Sequence, residues 1–182
     1  MRPEGKDRNT SIFPEPFCGF LWAGGILLLT VLDQWTKHLA ETTLKGAESI
    51  SLIPGVLELT YLENRGMAFG MFQGKQVIFL LLCMVFFVFL IYAYKRIPKN
   101  RYYLPLIITG AVLWAGALGN FIDRLLYGYV IDFIYISLID FPVFNAADIF
   151  VVCGGIAFII LAGFVYQDED FAFMSIKKRK DS

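Results

Sequence analysis

Four long apolar runs, separated by short polar links, set the pattern of the chain. A helix that crosses the hydrocarbon core of a bilayer needs about 20 predominantly apolar residues. Four segments meet or approach that length: 17–32, 77–94, 102–122 and 149–166. The pattern predicts an all-α membrane protein with four transmembrane helices. The first run is the shortest, but no small-residue cleavage site follows it. It reads as a retained span that continues as a helix into "DQWTKHLA", 33–40. A different rhythm follows Pro54-Gly55: "VLELTYL", 56–62, is rich in strand formers that partly alternate, and predicts a small sheet between helices 1 and 2. No internal repeat is apparent. Residues 1–16 read as a loosely ordered polar tail, 17–170 as one membrane domain, and 171–182 as a basic tail.

Charge adds an orientation. "KRIPKNR", 95–101, places four basic residues between the second and third spans, and "KKRK", 177–180, places four more after the last. The link between spans three and four carries only Arg124. Loop 33–76 also holds basic residues, but they are spread out and mixed with acids. By the positive-inside rule both termini and the second link are cytoplasmic, and the sheet is extracytoplasmic. Composition agrees with a membrane protein: 57% of residues are hydrophobic and 18% charged, against about 45–50% and 25% in soluble domains. The 16 basic and 16 acidic residues cancel, which gives no argument for nucleic acid. Cys18, Cys83 and Cys153 lie in apolar runs without ligand spacing, and the single histidine, His38, reads as structural. No metal or cofactor is expected.

With that orientation, the polar residues that interrupt apolar sequence gather at one face: Asn120, Asp123, Arg124, Asp132, Asn145 and Asp148, joined by Asp33 and Lys37. Ionisable groups at membrane depth face the bundle interior or water and are functional candidates. Each also has a plainer reading. Asp33 and Lys37 stand four apart, as in an ordinary helical ion pair. Asn120 can bond between helices, Asp123 can pair with Arg124, Asn145 can cap a helix, and Asp148 can favour that helix's positive end. The chain lacks a G-x-S-x-G elbow and an H-E-x-x-H motif. The hydrolytic device that acids alone can build is a carboxylate pair sharing one proton. Asp148 is one member. Asp123, beside the Arg124 charge, suits a supporting role, whereas Asp132, set in "YVIDFIY", is desolvated and suits proton sharing.

Five stretches in order, "DQWTK" (33–37), "NRGMAFG" (64–70), "GALGNFIDR" (116–124), "VIDF" (130–133) and "FNAAD" (144–148), resemble the motifs of the lipoprotein signal peptidases, or signal peptidase II. The resemblance covers nearly the whole chain. It implies a bacterial aspartyl endopeptidase of the cell (inner) membrane, with its site at the extracytoplasmic face. Such an enzyme cuts the signal peptide from prolipoproteins whose cysteine already carries a diacylglyceryl group. The catalytic aspartates would be Asp132 and Asp148, and the supporting residues Asp33, Lys37, Asn64, Gly66, Asn120, Asp123, Arg124, Asn145 and Ala147. Arg124 and Asn64 would hold substrate carbonyls, while Asn120 and Asn145 orient the pair. The implied partners are the prolipoprotein, membrane lipids and globomycin-type inhibitors, for a monomeric enzyme. "VIDF" departs conservatively from the commoner V-V-D-F. A competing reading, a small proton-coupled carrier, predicts acids at mid-membrane and often a repeat, neither of which the sequence offers.

Overall fold

A computed structural model of the chain describes residues 14–66 and 76–175. The apolar runs fold as α1 (Glu15–Leu44), α2 (Gln76–Arg96), α3 (Leu104–Tyr127) and α4 (Ala146–Ile160), and a π-helical turn over Leu161–Val165 extends the last. All four are long and apolar enough to cross a membrane. Val77, Val85 and Val88 of α2 and Val152 and Ile159 of α4 point outward, as side chains solvated by lipid should. At 1.5 Å per residue, α1 is about 45 Å long, well beyond a hydrocarbon core of about 30 Å. Its last turns therefore leave the apolar zone together with the residues they carry.

The inward face of α1 is a single stripe. Ile26, Thr30, Asp33, Lys37, Ala40 and Leu44 are buried, at alternating spacings of four and three that put them on one side of a helix. Ile26 packs with Ala111 and Ala115 of α3. Ala40 and Leu44 pack with Ile131 and Phe133. Asp33 and Lys37 are thus held between two apolar layers.

Between helices in lipid, association rests on close packing of small residues rather than on apolar burial. α3 supplies Ala111, Ala115, Gly116 and Gly119 to its buried face. A Cβ on Gly116 would lie 2.5 Å from the carbonyl oxygen of Ala147, and one on Gly119 would enter the Asp33 carboxylate. These contacts bring the start of α4 against the end of α3. The helix α3 then stops at Gly128, whose φ of 80° is left-handed and whose N–H closes on Arg124 O at 3.2 Å.

The sheet is antiparallel, in the order β1 (Ile50–Ile53), β2 (Leu57–Asn64), β3 (Val130–Tyr135). The strand expected at 56–62 is β2. Its other neighbour is not local: β3 comes from the link between α3 and α4, and pairs Leu62 with Asp132. Val130 to Phe133 are all buried, so this strand shows no polar alternation to read. The chain then doubles back. Phe144 N donates to Ile134 O at 3.0 Å, and Ile134 N donates to Phe144 O at 2.8 Å. This bridge starts α4 alongside β3.

At the other end of the bundle, a 3-10 segment over Asp168–Met174 docks on the link between α2 and α3. Tyr102 Oη donates to Asp170 Oδ2 at 2.7 Å, and Arg96 donates to Ser175 O at 2.8 Å. Residues 171–175, assigned to the tail from sequence, belong to this packed segment. The tail 1–13, the stretch 67–70 of "NRGMAFG" and the basic run 177–180 lie outside the described residues.

The close approach at Gly119 carries a test. Gly119→Ala should lower the stability of the detergent-solubilised protein by about 1–3 kcal/mol, the usual cost of overpacking. Gly155→Ala, whose Cβ would meet nothing within 4 Å, should leave thermal unfolding unchanged.

Candidate active site

The buried charges on α1 define the site from below. Lys37 is 1% exposed and Asp33 is fully buried. The Lys37 ammonium lies 2.9 Å from both Asp33 Oδ2 and Asp123 Oδ2, and donates to Asn120 Oδ1 at 3.0 Å. Three acceptors match its three N–H donors, and two anions offset its charge. Burying a charge is tolerable only when it is paired and hydrogen-bonded in this way. The helical ion pair read from the i,i+4 spacing is present, but it is a core element rather than a surface pair.

The two anions each hold a backbone N–H. Asp33 Oδ1 accepts from Ala147 N at 2.8 Å, and Asp123 Oδ2 accepts from Ile131 N at 3.2 Å. Ala147 immediately precedes Asp148, and Ile131 immediately precedes Asp132. One lysine therefore ties together the backbone positions of both candidate acids.

Side chains complete the link. Asn145 Nδ2 donates to Asp132 Oδ1 at 2.5 Å and to Asn120 Oδ1 at 3.2 Å. Asn120 Nδ2 donates to Asp148 Oδ1 at 2.7 Å, and Asn64 Nδ2 donates to Asp132 Oδ2 at 2.8 Å. Asn145 also caps α4. Its Oδ1 accepts from Asp148 N at 3.0 Å, while its N–H donates to Asp148 Oδ2 at 3.2 Å. The cap and proton-sharing readings of Asp148 were alternatives in sequence. The capping geometry is present, and it leaves the carboxylate in the cleft.

Asp123 does not pair with Arg124, as their adjacency suggested. On a helix, neighbours in sequence point in different directions. Asp123 turns inward to Lys37, whereas Arg124 donates to Gly66 O at 3.3 Å and lies 4.7 Å from the Phe79 ring centroid. Asn64 Oδ1 accepts from Gly66 N at 3.0 Å. Every site residue singled out from the sequence thus enters one continuous network. His38 stays on the exposed side of α1.

Two members were missed. Gln34 Nε2 donates to Asp123 Oδ1 at 2.8 Å and to Gly119 O at 3.2 Å. Gln76, at the start of α2, donates to Arg124 O. Gln34 adjoins the buried stripe of α1, so its helical position could have flagged it. Gln76 follows a segment that gives no such signal.

Above this floor opens a cleft of about 910 Å3. Asp132, Asp148, Asn64 and Asn120 stand on its polar side, and Ile149 and Val152 on an apolar wall. Burial, reinforced by the negative charge of Asp148, pushes the Asp132 carboxyl up to about 7, against the pull of its bonds to Asn64 and Asn145. A carboxyl that keeps its proton near neutrality, beside a second carboxyl open to the cleft, can act as acid and base on one substrate. Among the described residues, no group of His, Cys, Asp or Glu is arranged to hold a metal ion.

Comparison with known proteins follows the same lines. The family model described as Signal peptidase (SPase) II matches residues 25–164. A lipoprotein signal peptidase of Streptococcus thermophilus is 38% identical over 137 residues, covering 75% of this chain and 88% of the relative. One of Caldanaerobacter subterraneus is 43% identical over 132 residues, covering 72% and 88%. A solved structure described as a bacterial membrane enzyme superposes with a TM-score of 0.72 at 32% identity, over 87% of this chain and 99% of that one. A second gives 0.70 at 34%, over 89% and 94%.

The buried lysine predicts a specific pattern of stability. Lys37→Met leaves two buried anions uncompensated and should cost about 3–5 kcal/mol, read as a lower thermal unfolding temperature in detergent. Adding Asp33→Asn and Asp123→Asn to Lys37→Met should recover much of that loss.

Proposed function

The chain belongs to the signal peptidase II family, and we propose that it hydrolyses the signal peptide from diacylglyceryl-modified prolipoproteins with Asp132 and Asp148 as its catalytic pair. The observation that carries the assignment is the placement of Asp132 and Asp148, linked through Asn145 and Asn120, in a cleft with one apolar wall. Asp132 is the more buried of the two and holds the proton, while Asp148 is half-buried and open to water.

In the reaction, Asp148 takes a proton from water as the water oxygen bonds to the scissile carbonyl carbon. Asp132 gives its proton to the carbonyl oxygen, which forms a neutral gem-diol. The diol then collapses: Asp148 passes its proton to the departing amide nitrogen, the C–N bond breaks, and a hydroxyl proton returns to Asp132. The products are the signal peptide's carboxylic acid, which ionises by giving its proton to the new amine on the lipidated cysteine, and the pair is reset. Asn120, Asn145 and Asn64 hold the carboxyls in register through the bonds described above. Arg124 and Asn64, which line the cleft, would donate to substrate carbonyls.

The placement suits a substrate anchored in lipid. The end of α3 and the start of α4 leave the apolar zone together, beside the sheet, so the scissile bond meets water there while its acyl chains stay in the bilayer. By the positive-inside argument this is the extracytoplasmic face of the bacterial inner membrane, with both termini cytoplasmic. The apolar wall of the cleft suits the diacylglyceryl group. Globomycin-type cyclic peptides would occupy the same cleft and block it.

Purified protein incubated with a diacylglyceryl-modified prolipoprotein tests the assignment. Asp132→Asn and Asp148→Asn should each lose more than about 100-fold in kcat, the scale of positioned acid–base catalysis. Full cleavage by either variant would sink it. The pH profile supplies a second check. The reaction needs the proton on Asp132, whose pKa is raised to about 7, so kcat/KM should be retained below that pH and fall as pH rises through it.

A further inference from the structure

Far from the catalytic cleft, at the end of the bundle where α2 ends and α3 begins, the helices leave a second cavity of about 220 Å3. Its walls include Trp22, Phe86, Phe89, Leu113 and Phe158, and the 3-10 segment closes it with Phe173. The polar groups at its edge are turned to other work. Trp22 Nε1 donates to Ile107 O at 3.2 Å, and Thr109 Oγ1 donates to Pro105 O at 2.9 Å. Gly110 also faces the hollow, and a Cβ built there would meet nothing within 4 Å.

Protein interiors rarely leave voids much larger than a water molecule. An apolar hollow of about 150 Å3 stays dry and takes an apolar guest. This one opens sideways, because Phe89 is 51% and Phe158 43% exposed on helices that face lipid. The guest within reach is therefore an acyl chain.

Charge at the rim selects its headgroup. Tyr94 and Ile97, which line the cavity, flank Lys95 and Arg96, and the link continues with Lys99 and Arg101. Arg96 donates to Ser175 O at 2.8 Å, a contact that does not cancel its charge. Lys95 and Arg101 are exposed and have no ion-pair partner among the described residues. On the 3-10 segment that docks here, Asp168 and Glu169 are exposed, and Asp170 is buried against Tyr102. The link itself carries positive charge only, at the depth of lipid phosphates. Basic pockets between spans at this boundary recognise anionic headgroups.

We propose that this cavity binds one acyl chain of an anionic phospholipid, with the phosphate held by the basic link between α2 and α3. The site is independent of the peptidase reading and remote from its residues.

Trp22 supplies the probe. The full chain carrying Trp35→Phe and Trp114→Phe retains Trp22 as its single tryptophan and is reconstituted in phosphatidylcholine vesicles. Phosphatidylglycerol with brominated acyl chains should quench Trp22 severalfold more strongly than brominated phosphatidylcholine at equal mole fraction. Gly110→Leu, which fills the hollow, should abolish that excess while prolipoprotein cleavage stays unchanged, which also shows that the variant is folded. Lys95→Gln with Arg101→Gln should equalise the two lipids. Equal quenching by both lipids in the unfilled protein would mean annular lipid only and would overturn the proposal. Excess quenching that survives Gly110→Leu would overturn it as well.

Discussion

One ammonium group organises the end of this protein that carries the candidate active site. Lys37 sits in the buried stripe of α1, between two apolar layers, where an unpaired charge would be untenable. Its charge therefore recruits Asp33 and Asp123, and its third hydrogen reaches Asn120. Each recruited carboxylate grips the backbone N–H just before a candidate catalytic acid. The positions of Asp132 and Asp148 thus follow from an electrostatic requirement on α1. The glycine at 119 lets that happen, because any side chain there would displace Asp33.

The arrangement separates two jobs that carboxylates do badly together. Asp33 and Asp123 stay beside a cation and act as fixed acceptors. Asp132 accepts from two neutral amides, and burial and the charge of Asp148 favour its protonated form. Four acids lie close together, and burial together with the charge of the nearest partner separates what each can do. Low polarity at the membrane boundary sharpens this division, since both the attraction to Lys37 and the cost of a second free carboxylate grow as the dielectric falls.

Much of this was legible in the chain. The apolar runs fix four helices because lipid demands internally bonded backbone, and the polar site residues read from the motifs converge on one network. What the sequence hid was partnership across the fold. Asp132 lies on a strand, but "VIDF" is buried on both faces and carries no alternation. The strand it pairs with lies 68 residues earlier, as the Asn64–Asp132 bond marks. Asp123 and Arg124 looked like a pair because they adjoin, while helix geometry sends them to opposite partners. Gln34 was passed over although it adjoins the buried stripe of α1, because an uncharged amide beside Asp33 drew no separate notice. The docking of 171–175 depends on tyrosines far away in sequence, which local composition cannot report.

The central claim is that a carboxyl on β3, held by this scaffold, keeps its proton near neutral pH. Infrared difference spectroscopy of the isotopically labelled aspartates across a pH titration measures that directly. The account predicts one protonated aspartic acid band that persists until about pH 7 and is missing in Asp132→Asn. Titration of every aspartate at its ordinary value near about 4, with no band lost in the variant, would contradict it.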